Sequence, residues 1–507
     1  MLINKLGLRL FLYAALVHHY IKNNMFRETN ISKAALLLIV LILTSFKCSK
    51  DDPDQPVTPT VKSDVSFYMT SADQSALLQR QNLNLVFSTK TNSYPVLKVD
   101  SAQRFQEVDG FGYSLTGGSA IVLNQLSAAE RGKILHELFS DDSIGMGVSY
   151  LRISIGASDL DPAPFSYDDL PAGETDINLE KFSLEPDRKN LIPVLKEILA
   201  IRPDIKIMGS PWSPPAWMKT NNNTKGGSLK KEYFPTYAQY FVKYIEGMKA
   251  EGIVVDAITI QNEPLHPGNN PSMLMEAVDQ RDFIKDHLGP AFQAAGIKTK
   301  IVIWDHNCDN PGYPISILND PAAKQFIDGS AFHLYNGEIT ALSTVHDAHP
   351  DKNLYFTEQW TGKNESFSSN FMWHTQHVVI GSLRNWSRIV LQWNLANDTN
   401  FGPHTDGGCT ECKGALTIGN DIVRNPAFYI VGQISKWVPP GSVRIYSDIL
   451  SNMPSVAFLT PKGKKVLLVL NTSQSSQSFN PKLRFFSRLI FKKSGTDACC
   501  VVFFIYI

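Results

Sequence analysis

What this chain of 507 residues lacks narrows its function before any motif is considered. It has no excess of charge: 48 basic residues face 48 acidic ones, so no net field draws it to nucleic acid or to an acidic surface. Cysteine is scarce, six in all, and only Cys409-Thr-Glu-Cys412 has metal-ligand spacing. No second CxxC and no His pair completes four zinc ligands, which leaves a local disulfide or two free thiols. His374 and His377 share a helix-like stretch without a third ligand at a convincing spacing. Gly110 and Gly112 begin a nucleotide-loop pattern, but position 115 is Leu where GxGxxG needs Gly, and no Lys-Ser/Thr follows. Neither a metal nor an organic cofactor is implied. The apolar run at 34–44 is too short to span a bilayer. What remains is an ordinary globular composition, 43% hydrophobic and 19% charged, long enough for a large domain and a smaller companion.

The N-terminus reads as targeting. Residues 25–33 are polar and net basic, and 34–44 has about the length of a signal-peptide core. The run ends at Leu43-Thr-Ser-Phe-Lys-Cys48, a loose lipoprotein box in which Cys48 becomes lipidated after cleavage; Lys47 stands where a small residue is usual. Ser49-Lys-Asp-Asp52 then resembles the surface-export signal of Bacteroidetes lipoproteins. The expectation is an outer-membrane or cell-surface lipoprotein, with an ordinary cleaved signal and a periplasmic or secreted product as the alternative. A second apolar run at 8–17 precedes Met25; a start at Met25 accounts for it, and a membrane hairpin is the alternative. Residues 48–64, rich in Pro, Thr and Asp, form a tether.

From 65 to 99 short β-type runs are separated by polar turns. From Phe105 apolar strand-like runs alternate with amphipathic helical stretches, the pattern of βα units on a parallel sheet. Eight strand candidates follow one another at 107–114, 150–155, 206–209, 257–261, 300–304, 329–334, 354–357 and 388–393. Helices are expected at 128–139, 190–201, 236–251, 279–295 and 371–387. Eight units predict a (β/α)8 TIM barrel at 101–436, with its site at the C-terminal ends of the strands. After Phe428 the helices stop; 65–100 and 437–507 are expected to join as one β-sandwich built from both chain ends. The stretch from Arg484 to the apolar 499–507 has neither turns nor alternation, and reads as a frameshifted tail, an edge strand being the alternative.

Two carboxylates stand just past barrel strands. Gln261-Asn262-Glu263-Pro264 follows one apolar run, and Glu358-Gln-Trp360 ends another. Either alone is weak, since charged residues cap many strands. Together they supply what glycoside hydrolysis needs: an acid for the leaving oxygen and a carboxylate beneath the anomeric carbon.

Six motifs occur in order: Gly110-Phe-Gly-Tyr-Ser-Leu-Thr116, Tyr150-Leu-Arg-Ile-Ser-Ile-Gly156, Ser210-Pro-Trp-Ser-Pro-Pro-Ala-Trp-Met-Lys219, Gln261-Asn-Glu-Pro264, Phe356-Thr-Glu-Gln-Trp360 and Gln392-Trp-Asn-Leu395. From about Val65 to Leu470 the chain resembles glycoside hydrolase family 30, the glucosylceramidase-like enzymes. The resemblance implies a barrel with an attached β-sandwich and a double-displacement retaining mechanism. It implies Glu263 as acid/base and Glu358 as nucleophile, the positions that strand order also selects. Their carboxyl groups are then expected roughly 5–5.5 Å apart, with the carboxyl of Glu263 raised by burial or by its negative neighbour.

Around them, Arg152 is placed to hold Glu358 ionised or to form a structural ion pair. Asn262 is placed to bond a substrate hydroxyl, and Trp212 and Trp393 to offer flat faces and an indole N–H to a sugar. His333 and Tyr335 face the nucleophile or the sugar, while Asp305 and His306 either line the cleft or support its loop. One departure stands out. In glucosylceramidase-type members the first-strand motif continues Thr-Asp-Ala, and the resemblance assigns that Asp to the far side of the glucose ring. Here Thr116-Gly117-Gly118 stands instead, so a carboxylate gripping the sugar is expected to be missing. The chain looks more like the bacterial branch acting on β-1,6-glucan. The expected partner is a β-glucan or glucoside, with xylan- or galactoside-acting relatives and a non-catalytic glycan-binding barrel as the competing readings.

Overall fold

The computed structural model describes residues 63–88, 92–483, 488–489 and 501–506, so Cys48 and the targeting segment lie outside the described residues. Eight parallel strands close into a barrel: β1 (Gly110–Ser114), β2 (Tyr150–Ile155), β3 (Lys206–Pro211), β4 (Ala257–Thr259), β5 (Lys300–Cys308), β6 (Ile327–Gly337), β7 (Asn353–Glu358) and β8 (Ser387–Asn394). They neighbour one another in chain order, and β8 pairs with β1 to close the ring.

The two-residue alternation of a strand decides what each side chain meets. Tyr150, Met208, Ala257, Val302, Ala331, Tyr355, Ile389 and Leu391 pack together inside the barrel. Their neighbours Leu151, Ile153, Ile207, Ile258, Ile301, Phe332, Leu354, Phe356 and Val390 join the larger core with the surrounding helices. The helix at Ala128–Phe139 begins with a capping box in which Ser127 and Glu130 satisfy each other's backbone N–H groups. Two of the long helical stretches are interrupted by π-turns, at Ile284–Leu288 and His374–Ile380, where continuous helices are expected from the sequence.

Strands from both ends of the chain form an eight-stranded sheet beside the barrel. Its order is Gln79–Arg80, Ser66–Ser71, Val501–Tyr506, Lys465–Leu470, Ser455–Leu459, Ser442–Ser447, Val96–Val108, Asn480–Leu483. Alternation divides its core. Ala457, Leu467 and Val469 pack within the side domain with Phe67, Leu97 and Ile445, whereas Val456, Phe458, Val466, Leu468 and Leu470 belong to the barrel's core. The long strand Val96–Val108 stays paired to this sheet as far as Val108, so the sheet runs past residue 100 and hands the chain to β1 across Asp109. Val501–Tyr506 pairs on both sides, with Ser66–Ser71 and Lys465–Leu470. It is an interior strand of the sheet and not an edge. Among the described residues no helix is long and apolar enough to cross a membrane.

Candidate active site

At the C-terminal ends of the strands the barrel interior turns polar. On β2 the inward series that begins with Tyr150 continues to Arg152, whose side chain is fully buried. Its Nη1 donates to Glu358 Oε2 at 2.6 Å, and its Nη2 to Asp305 Oδ2 at 2.8 Å and Asn262 Oδ1 at 2.6 Å. A buried guanidinium needs its charge matched and its donors used; these acceptors match the charge and take both terminal nitrogens, while Nε is buried without a partner among the described residues.

Asp305 is inward only because of a bulge. Trp304 pairs with Ala331 and His306 with Phe332, which leaves Asp305 as the extra residue on β5. Trp304 and Asp305 both adopt the left-handed region, with φ of 72° and 63°. That pair of turns sends Trp304 into the outer core and Asp305 to the barrel axis. There its carboxylate accepts from Ser210 and Thr259 through Oδ2 at 2.8 and 2.7 Å, and from Thr357 through Oδ1 at 2.6 Å. The charge of Arg152 and the bonds to His333 and Thr357 outweigh burial and hold this carboxyl well below the usual range. Asp305 thus lies beneath the cleft and organises it, rather than lining it. Glu263 is left-handed too, at φ 47°, just past β4, and its N–H donates to the Asp305 carbonyl at 3.0 Å. Backbone strain of this kind persists where the surroundings enforce it.

The two glutamates converge. One carboxylate oxygen of each, together with a ring nitrogen of His333, lies within 4.8 Å of the others. Glu358 also accepts from the Tyr335 hydroxyl at 3.0 Å. His333 places Nδ1 3.2 Å from Glu263 Oε1 and 3.7 Å from Glu358 Oε1, while Nε2 meets Asp305 Oδ1 at 3.2 Å. Burial opposes a charge on this imidazole, but Glu358, Asp305 and Glu263 prevail and push it up to about 9.

The raised carboxyl expected at Glu263 is found on its partner instead. Burial raises Glu263, yet the bond and charge of His333, with His306 and His266, bring it below its ordinary value. Burial also raises Glu358, and there the negative Glu263 and Asp305 add to it against His333 and Arg152. The two carboxyls and the imidazole therefore titrate as a unit. His333 Nδ1 and Glu263 Oε1, 3.2 Å apart, join the imidazole to this carboxyl by a hydrogen bond.

These groups floor a cavity of about 260 Å³. Trp212 and Trp393 stand on one side with ring centroids 5.5 Å apart, and the guanidinium carbon of Arg152 lies 4.8 Å from the Trp212 ring. The Trp212 Nε1 is buried without a hydrogen-bond partner among the described residues. Asn262 accepts from Arg152 through its oxygen, so its NH2 group is the end left for a ligand. Lys219, the last residue of the Pro-rich motif, is buried and donates to Ser213 Oγ, the Thr224 carbonyl and the Ser272 carbonyl. It ties the loop that carries Trp212 to the loop beyond Glu263. A larger cavity, about 460 Å³, lies at the N-terminal ends of the strands. Of its carboxylates, Asp109 and Asp256 are bound to Arg388 and Lys206, and it holds none of the convergent groups.

The cavity does contain a further carboxylate, contrary to the expectation drawn from Gly117. Asp159, in the irregular loop after β2, lines it beside Trp212 and Trp393. Burial and the nearby charge of Glu358 push Asp159 up to about 7. Gly117 is not a substrate position at all. It opens the helix Gly117–Asn124, capped by Thr116, and a Cβ there would stand 1.7 Å from Asp161 Oδ1. The space is filled by the same loop that brings Asp159 forward. The cavity's contributors not singled out as binding residues in the sequence are His266, Asn269, Asn307 and Trp360; Cys409 and Cys412 also line it and form the local disulfide that is one of the two states expected of that pair.

Among the described residues Glu263, His333 and Glu358 are also the one trio placed to hold a cation. An imidazole must be neutral to ligate a metal, and His333 is held protonated, so the trio suits a shared proton. The raised imidazole has a consequence for stability. Its charge is favoured in the folded state, so its contribution is full below the ordinary value of 6.5 and is lost as pH rises through about 9. Thermal unfolding followed across pH 6 to 10 should show Tm falling between about 6.5 and 9 and levelling above that. His333→Asn should flatten this slope, and an unchanged slope would place the charge elsewhere.

With this geometry in place, comparison with known proteins is informative. Residues 108–438 match the glycosyl hydrolase family 30 TIM-barrel domain and residues 441–484 the family's β-sandwich domain. The chain belongs to glycosyl hydrolase family 30 and is a glycosidase. It is 37% identical over 397 residues to the endo-1,6-β-D-glucanase neg1 of Aspergillus fumigatus, covering 72% of this chain and 79% of that protein. It is 29% identical over 418 residues to the lysosomal acid glucosylceramidase of Mus musculus, covering 77% and 80%. The solved endo-β1,6-glucanase BT3312 superposes with a TM-score of 0.80 at 35% identity, covering 88% of this chain and 99% of that one.

Proposed function

We propose that this protein is a retaining endo-β-1,6-glucanase in which Glu358 is the nucleophile and Glu263 the acid/base. The observation that carries the mechanism is the approach of the two carboxylates, whose oxygens come within 4.8 Å. Retaining enzymes place their carboxyl groups about 5–5.5 Å apart, whereas inverting enzymes need about 6.5–9.5 Å to admit a water. Arg152 and Tyr335 fix the two oxygens of Glu358, so its attack on the anomeric carbon is aimed. Glu263 delivers the proton drawn from His333 to the departing oxygen. It then takes a proton from the water that releases the sugar, and two displacements leave the configuration unchanged.

Two features favour glucan over glucosylceramide. In a β-1,6-linked chain every unit keeps its 2-, 3- and 4-hydroxyls, so Asp159, Asn262 and the free N–H of Trp212 suit an internal unit as well as a terminal one. On the Glu263 side the wall is His266, Asn269, His306 and Asn307. His306 and His266 act electrostatically on Glu263. Burial pushes His306 down to about 4, and its buried Nδ1 has no hydrogen-bond partner among the described residues. A polar, hydrogen-bonding wall receives a sugar leaving group, and a lipid would leave these polar groups unpaired. The test is a time course on linear β-1,6-glucan, glucosylceramide and xylan, with product configuration read by proton NMR. Release of β-configured gluco-oligosaccharides from the glucan is expected. No cleavage of it, or an α-configured first product, would overturn the reading.

We also propose export, with a lipid on Cys48 holding the protein at the outer membrane. The basic stretch, the apolar run and the acidic residues after Cys48 support this, as does a disulfide, which persists in oxidising compartments. Labelled palmitate should enter the wild-type chain and not Cys48→Ala; equal labelling of both would refute the anchor.

A further inference from the structure

We propose that the Cys409–Cys412 disulfide is a positioning element of the sugar-binding cavity, holding the wall that orients Asp159, so that opening it weakens glucose binding. The inference rests on the reading of this cavity as the glucose site.

The disulfide lies at the cavity itself. Cys409 and Cys412 both line it, and Cys412 packs in one apolar cluster with Leu160, Trp212 and Trp393. The N–H of Cys409 donates to Asp159 Oδ2 at 3.3 Å. The same loop holds Asp159 a second time, since Thr405 N–H donates to the Asp159 carbonyl at 2.9 Å. Gly408 is pressed against that carbonyl, where a Cβ would come within 2.3 Å. The carboxylate therefore depends on residues 405–409 for both its backbone and its side-chain position.

That loop has little structure of its own. Between the short strands Ala396–Asp398 and Cys412–Lys413 it contains no helix and no strand. Its rigidity comes from outside attachments. Cys412 pairs with Gly362, four residues beyond Glu358, and Lys363 donates from its N–H to the Glu411 carbonyl at 3.0 Å and from Nζ to the Thr410 carbonyl at 2.9 Å. These contacts anchor the Cys412 end to the extension of β7. Cys409 lies at the Asp159 end. The disulfide closes the turn between the two ends, and thereby ties Asp159 to the strand that carries Glu358. Without it, the Cys409 N–H is held from one side only, through the attachments of Thr405 to the Asp159 and Asn270 carbonyls.

Reduction by dithiothreitol breaks the S–S bond and forms two protein thiols. The two electrons and two protons come from the reagent's two thiols, which join as a cyclic disulfide. The remaining described cysteine, Cys308, is buried and its thiol is pushed up by burial, which keeps it unreactive.

The experiment measures binding of a glucose-configured iminosugar by calorimetry alongside KM and kcat on β-1,6-glucan, for the full chain before and after dithiothreitol. Reduction should weaken iminosugar binding about three- to tenfold and raise KM similarly, the scale of one ordinary hydrogen bond, with kcat changed less than twofold. Reoxidation should restore both. The double variant Cys409→Ser/Cys412→Ser should bind like the reduced protein and ignore the reagent, which separates this pair from the cysteines outside the described residues. Unchanged iminosugar affinity after verified reduction overturns the inference, as does a fall in kcat alone. If the untreated protein binds the iminosugar but cleaves no β-1,6-glucan, the substrate reading fails while the binding comparison still tests the disulfide.

Discussion

Glu358→Gln should lower kcat by on the order of 10⁴- to 10⁶-fold, the range seen when a covalent nucleophile is removed, while leaving the fold intact. Its side chain is isosteric, and the bond from Tyr335 survives the change. A 2-fluoroglucoside with a good leaving group should label the wild-type protein on Glu358 alone, as read by peptide mass spectrometry. The two glutamates are then told apart by stereochemistry. Glu358→Ala with azide should yield the α-glycosyl azide by a single displacement. Glu263→Ala should still form the covalent intermediate from an activated aryl glycoside, stall before hydrolysis, and give the β-azide on rescue. A β-azide from Glu358→Ala would reverse the roles assigned here.

Arg152→Leu should be the most damaging change away from the reacting carboxylates. The guanidinium is fully buried and is the direct cationic partner of both Asp305 and Glu358. Removing it leaves His333 alone to offset two buried carboxylates beside Glu263, and breaking a buried ion pair from one side costs about 3–5 kcal/mol. Denaturant unfolding should show that loss as a lower midpoint with an unchanged slope. Activity should fall too, because Glu358 loses its 2.6 Å donor and its aim. Arg152→Lys should rescue neither fully, since an ammonium cannot reach Glu358, Asp305 and Asn262 from one planar fork. A destabilisation below about 1 kcal/mol for Arg152→Leu would mean that the surrounding hydroxyls carry the cluster without the cation.

The barrel was legible because its signal is local. Tyr150–Ile155 and the helix Ala128–Phe139 lie where periodicity places them, and the other strands differ only at their ends. Alternation also carries Arg152, His333, Tyr335 and Trp393 into the interior from apolar positions two or four residues before them. The features that escaped are those without a period. Asp305 reaches the axis through a one-residue bulge, which a reading by alternation cannot anticipate. Asp159 sits in an irregular loop whose course depends on Thr405 and Cys409, some 250 residues away. Gly117 misled because its place in the motif says nothing about which way a side chain there would point; only Asp161, packed against it, does. The protonation of the pair escaped for a related reason. Burial and a negative neighbour argue for a raised Glu263, but His333 arrives from another strand and reverses the balance.

The interior strand Val501–Tyr506 bears on how the molecule is assembled. Ser66–Ser71, among the first described residues to leave the ribosome, finds its long-range partner only in residues 501–506. Contacts of such wide sequence separation form late and carry a large loop-closure cost, so the sheet stays open along that seam until residues 501–506 are available to fill it. Until then the side of Ser66–Ser71 that faces residues 501–506 has no partner strand, and only its short pairing with Gln79–Arg80 is in place. Order of assembly, no less than the final contacts, is written into which strand lies in the middle.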